Sequence, residues 1–195
     1  GPYTFGGWSL GGLVAYEMSQ QILRAGDELS HLILLDTTIP VGATELVPQS
    51  EMDNVGLEYG IELTLDELGA LAPEEQLRFL WEHAQGLGVL DDSSPPEVVA
   101  RVLQDLQQLF YHHVELSRAY RIKPLNGRIE LIRPSETPVA LPVTHDRGWS
   151  HLAKSVRVHF VSGHHHSMVQ PPHVEQLAQV IGSLRPEPNE QDRIE

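Results

Sequence analysis

Cysteine is absent from the 195 residues, which excludes disulfides and thiolate chemistry and fits a cytoplasmic setting. Basic residues are scarce: 13 Lys and Arg stand against 27 Asp and Glu, for a formal net charge of -14. Such a chain repels phosphate backbones, so nucleic acid is not an expected partner. No Lys or Arg occurs between Arg24 and Arg78, a span rich in carboxylates that reads as a solvated acidic face. Also missing are an apolar run long enough to span a bilayer and a charged-then-apolar leader, so no membrane partner is expected. No internal repeat is visible. With 41% hydrophobic residues the chain has enough apolar material for one core, and its length argues for one domain.

Against these absences, one stretch is rich in glycine. Gly6-Gly7-Trp8-Ser9-Leu10-Gly11-Gly12 holds a G-x-S-x-G pattern between a short apolar strand (Tyr3, Phe5) and a helix carrying Leu13, Val14, Ala15, Met18, Ile22 and Leu23 at helical spacing. Arg24-Ala25-Gly26 supplies the helix stop. A serine at such a junction reads as a nucleophile elbow, a turn sharp enough to hold the hydroxyl clear of the backbone. Gly7 and Gly11 are expected where side chains would crowd the turn, and Gly12 where helix and sheet approach closely. The N–H of Leu10 can face a developing oxyanion, aided by the positive end of the helix dipole. An elbow serine normally follows several strands, so its place at position nine leads to the expectation that the amino-terminal strands of such a fold lie outside this sequence.

His31 to Leu35 form an unbroken apolar run ending at Asp36, as expected of a buried parallel strand that delivers a carboxylate to its C-terminal edge. From about 41 to 120 the pattern turns helical. One helix begins at Pro73, with Leu77, Leu80, Trp81 and Ala84 on one face; a longer one follows Ser94-Pro95-Pro96, with Val99, Val102, Leu103, Leu106, Leu109, Phe110 and Val114 in register. An insertion between sheet strands on the side of Ser9 is expected to act as a lid. Strands return at 127–133 and 156–161, both alternating. A loop with His164, His165 and His166 follows, then a final helix opened by Pro171-Pro172 and carrying Val174, Leu177, Ala178, Val180 and Ile181. Residues 1–185 thus read as one domain and 186–195 as a polar tail, expected to be disordered. Arg118, Arg121, Lys123, Arg128 and Arg133 cluster in sequence and suggest a patch for an acidic partner.

The chain order is therefore Ser9, an acid, then histidine. That order belongs to α/β-hydrolases rather than to either common serine-protease arrangement. The acid is Asp36 or Asp146: Asp36 ends an apolar strand next to the elbow helix, whereas Asp146 stands before Gly148-Trp149 in a stretch that suits a turn. Three consecutive histidines invite a metal reading, but neighbouring side chains in an extended loop diverge and no further ligand stands at metal spacing. No metal and no cofactor is expected.

Gly-Pro-Tyr-x-x-Gly-Gly-Trp-Ser-Leu-Gly-Gly at the start, Leu34-Leu35-Asp36, Gly148-Trp149 and Gly163-x-His165-x-x-Met168 together resemble the terminal (type I) thioesterase domains of nonribosomal peptide and polyketide synthetases. The likeness covers nearly the whole chain. It implies an α/β-hydrolase fold lacking its N-terminal strands, with a mostly parallel sheet and a helical lid insertion. It implies Ser9 as nucleophile, Asp36 as acid and His165 as base, His164 and His166 falling at variable sites. The implied reaction takes an acyl or peptidyl chain from the phosphopantetheine thioester of an upstream carrier domain and releases it by hydrolysis or macrocyclisation. Gly-Trp-Ser, rather than Gly-His-Ser, leans toward chain-terminating domains. Two alternatives remain: a carboxylesterase on the same fold, or a non-catalytic module that only docks a carrier protein.

Overall fold

The first strand, β1 (Tyr3–Trp8), runs parallel to β2 (Leu29–Leu35), with Trp8 opposite Leu35. The computed structural model describes residues 1–40, 43–47, 71–86, 90–91, 93–136 and 144–184. β3 (Leu125–Pro134) and β4 (Ala153–Val161) complete a four-stranded sheet in the order β1-β2-β3-β4, every pairing parallel. All four are the expected strands. β2, β3 and β4 start earlier than the apolar runs suggest, because ladder pairing extends strands into polar flanks such as Lys154 and Ser155 that apolar patterning alone does not mark.

Helix α1 (Leu10–Arg24) connects β1 to β2 and buries Leu13, Ala15, Tyr16, Ser19 and Gln20. Val14 and Met18, expected on the packed face, are instead exposed. Polar residues replace them because their groups are satisfied at the interface. The Tyr16 hydroxyl donates to the carbonyls of Lys123 (2.8 Å) and Leu152 (3.3 Å), and the Gln20 side-chain amide donates to the same Lys123 carbonyl. Burial raises the Tyr16 pKa well above the ordinary phenol value.

Alternation along the strands gives each sheet face its own core. Leu32, Leu34, Ile129 and Leu131 join Leu13, Tyr16, Trp149 and Leu152 on one side. On the other, Ile33, Ile132 and Val161 meet Met168 and Leu177, the latter from helix α4 (His173–Ser183). Each fully buried large side chain contributes about 1.5–3 kcal/mol, so both faces are held shut around the strand ends.

Between β2 and β3 lie helices α2 (Pro73–Gly86) and α3 (Pro96–Ala119), which pack against each other. The end of α3 is tied to α1 by the Tyr120 hydroxyl, which donates to Glu17 at 2.9 Å. Helices α2 and α3 occupy part of the stretch 41–120 that separates the two strands. Its residues 48–70 lie outside the described residues, as does the tail 186–195. Among the described residues no helix is long and apolar enough to cross a membrane.

Candidate active site

Ser9 stands between β1 and α1 with φ 54° and ψ -126°, a conformation costly for any residue but glycine by about 1–3 kcal/mol. Its surroundings hold it there. The Ser9 N–H donates to the Leu35 carbonyl (3.0 Å), while its own carbonyl accepts from the Gly12 N–H (3.0 Å) and the Thr37 hydroxyl (3.1 Å). A Cβ on Gly7 would overlap the Gly11 carbonyl, and one on Gly12 would overlap the Thr37 side chain. Gly12 therefore lets α1 sit against the end of β2. Gly11 differs from expectation: a Cβ there would meet nothing within 4 Å, because that side of α1 faces outward. Leu10 is the first residue of α1, so its N–H has no acceptor within the helix.

Because Trp8 pairs with Leu35, the next residues along the two strands, Ser9 and Asp36, emerge side by side at the C-terminal edge. The Asp36 N–H donates to the Ile132 carbonyl at 2.8 Å, fixing it against β3 as well. Asp36 is 2% exposed and its side chain meets two partners: Oδ2 accepts from His165 Nδ1 at 2.8 Å, and Oδ1 lies 2.9 Å from the Arg147 guanidinium. A carboxylate can only accept, so Nδ1 carries the proton and the basic nitrogen of the neutral ring is Nε2.

His165 reaches Asp36 from the loop after β4. That loop turns at Gly163 (φ 90°) and closes on itself, with the His164 N–H donating to the Ser167 hydroxyl (2.9 Å) and the Met168 N–H to the His164 carbonyl (3.0 Å). Met168 is buried and anchors the far end. The indole N–H of Trp8 donates to the His165 carbonyl at 3.1 Å, and the two rings lie 5.0 Å apart at 28°. The three histidines have different surroundings: His165 is buried, His164 is exposed, and His166 lies edge-on to Trp8 at 5.7 Å and to His165 at 5.0 Å. Among the described residues no three His, Asp or Glu side chains converge as metal ligands would.

Asp146 serves its own turn. Its oxygens accept from the N–H groups of Gly148 (3.3 Å) and Ser150 (3.0 Å). Partial burial pushes its pKa up, but hydrogen bonds from Ser150, Gly148 and Thr144 outweigh that and hold it below the usual carboxylate value.

Arg147 was not evident from sequence, since a single arginine in a turn carries no pattern. Its φ of 52°, followed by Gly148 at 78°, turns the guanidinium inward, where it is 5% exposed. The basic cluster does not form one patch: Arg121 and Lys123 precede β3, whereas Arg133 at its far end donates to the His145 carbonyl (2.8 Å) and lies over the Phe160 ring.

A parallel sheet that gathers serine, aspartate and histidine at its C-terminal edge is the α/β-hydrolase class of fold. Residues 1–184 match the thioesterase domain family, and the chain belongs to it. It is 27% identical over 191 residues to the non-reducing polyketide synthase PKS1 of Zymoseptoria tritici, covering 93% of this chain and 8% of that protein. Among solved structures, it resembles the NocB thioesterase domain in covalent complex with a fluorophosphonate nocardicin G analog (27% identity, TM-score 0.59, covering 93% of this chain and 64% of that one). It also resembles holo-AB3403, a four-domain nonribosomal peptide synthetase bound to AMP and glycine (26%, TM-score 0.58, covering 96% and 15%). The chain thus spans a small part of the multidomain proteins it matches.

Proposed function

We propose that this thioesterase domain is a chain-releasing serine hydrolase, in which Ser9 takes an acyl or peptidyl chain from a carrier-protein phosphopantetheine thioester. The observation that carries this reading is the buried 2.8 Å bond between His165 Nδ1 and Asp36, at the strand edge where the strained Ser9 emerges. His165 Nε2 accepts the Ser9 hydroxyl proton as Oγ attacks the thioester carbonyl, and the Leu10 N–H stabilises the oxyanion. Collapse expels the pantetheine thiolate, which takes the proton from His165, and leaves an ester on Ser9. Water, or an amine or hydroxyl of the same chain, then repeats the sequence and frees an acid or a macrocycle. The reaction needs no metal or cofactor.

An upstream carrier domain is the proposed partner, supported by the multidomain setting of the synthases the chain resembles. The region containing α2 and α3 is the proposed lid, and the absence of cysteine fits action in the cytoplasm. The test compares a fluorophosphonate label and acyl-pantetheine turnover in the wild type and Ser9→Ala. Labelling and thioester turnover confined to the wild type support the proposal; the variant should keep at most the ~10³ to 10⁴-fold acceleration that binding and an oxyanion site supply. Turnover of simple aryl esters but not thioesters points to a carboxylesterase. Carrier binding without any label on Ser9 points to a docking module.

A further inference from the structure

Asp36 is held from two sides, and only the His165 side belongs to the proton relay. On the other, Arg147 NH2 stands 2.9 Å from Asp36 Oδ1, with both side chains nearly out of water. Both residues have left-handed backbones, φ 46° at Asp36 and 52° at Arg147, conformations uncommon outside glycine. The turn carrying Arg147 is built to hold this position. Asp146 fastens the turn to Gly148 and Ser150, and Trp149, buried completely, donates its indole N–H to the Thr37 carbonyl at 3.1 Å. Thr37 adjoins Asp36 and also donates to the Ser9 carbonyl. One turn thus grips both the Asp36 carboxylate and the backbone just beyond it.

We propose that Arg147 is a positioning residue for the proton relay: it fixes the carboxylate rotamer that presents Oδ2 to His165 Nδ1 and compensates the buried charge of Asp36. A buried carboxylate facing one neutral imidazole is free to rotate about χ2 and is unstable without a cation. With Arg147 on Oδ1, one oxygen is committed and the other is aimed. The proposal rests on the reading of Ser9, Asp36 and His165 as the reacting centre, and acts through Asp36 alone.

The test is the fluorophosphonate reaction of the full chain, resolved into probe affinity and maximal labelling rate. Arg147→Gln keeps a planar N–H donor but removes the charge; Arg147→Lys restores it. The glutamine variant should lose about tenfold to 100-fold in maximal rate, as outer partners of oriented side chains do, with probe affinity unchanged and partial rescue by lysine. In an Asp36→Asn background, adding Arg147→Gln should cost nothing further, and that double variant removes both members of the buried pair, so it remains measurable if the single variant does not fold. A wild-type rate in Arg147→Gln, or an equal further loss in the Asp36→Asn background, overturns the proposal. An unlabelled wild type refutes instead the underlying reading of Ser9.

Discussion

Trp8 and His165 are joined twice: the indole N–H donates to the His165 carbonyl at 3.1 Å, and the indole face lies against the imidazole with ring centres 5.0 Å apart. The residue preceding Ser9 therefore fixes the loop that carries the partner of Asp36. Trp8→Phe keeps a stacking face and removes one hydrogen bond, a loss of about 0.5–1.5 kcal/mol. The expected result is a drop of up to about tenfold in kcat with KM little changed. Trp8→Ala removes both links and should lower kcat further while the melting temperature also falls. Unchanged turnover in Trp8→Ala shows that the loop is placed without Trp8.

Two adjacent glycines should behave oppositely. Gly12→Ala drives a methyl into Thr37, and overpacking of this kind costs about 1–3 kcal/mol. Gly11→Ala meets open space inside a helix, where alanine is favoured over glycine by about 1 kcal/mol. Chemical denaturation should show Gly12→Ala destabilised and Gly11→Ala equal to or above the wild type. A destabilised Gly11→Ala would place an unseen contact on that side of α1.

Much of this arrangement was legible in the sequence because it follows from local rules. The elbow and the strand ending at Asp36 announce themselves through glycine placement and an apolar run, and the sheet unites them. What was not legible depends on contacts made far along the chain. Val14 and Met18 have the helical spacing of core residues, yet Tyr16 and Gln20 are buried in their place because the carbonyl of Lys123, more than a hundred residues on, accepts from both. Arg147 and Trp8 escape for the same reason. Each makes its decisive contact more than 100 residues away, with Asp36 and with His165, and nothing in the flanking residues encodes it.

Acid should weaken the turn at Asp146. The hydrogen bonds that depress its pKa stabilise the folded state only while the carboxylate is ionised, so this contribution is present above its unfolded value of about 3.9 and is lost as pH falls through the lower folded one. Because the group is partly exposed, the stability at stake is about 1 kcal/mol or less. Melting temperatures of the wild type and Asp146→Asn should differ slightly at neutral pH and converge in strong acid. A constant gap across that range would mean that the charge of Asp146 contributes nothing.

The two aspartates separate cleanly by experiment, because their partners differ in kind. Asp36 meets a histidine ring and a guanidinium, both buried, whereas Asp146 meets hydrogen-bond donors of its own turn, the N–H groups of Gly148 and Ser150 and the side chains of Ser150 and Thr144. Asp36→Asn replaces an acceptor-only group with one that can donate, so His165 Nδ1 no longer has a partner that forces its tautomer, and turnover should fall by about 10⁴-fold. The same change breaks the buried pair with Arg147, which costs about 3–5 kcal/mol in stability. Asp146→Asn keeps the turn acceptor and touches neither effect, so its turnover should remain within a factor of about two of the wild type, since surface changes of this sort stay within ~0.5 kcal/mol. Turnover per folded molecule, measured with denaturation curves on both variants, decides the assignment. Near-normal turnover in Asp36→Asn, with loss in a folded Asp146→Asn, would move the acid to Asp146.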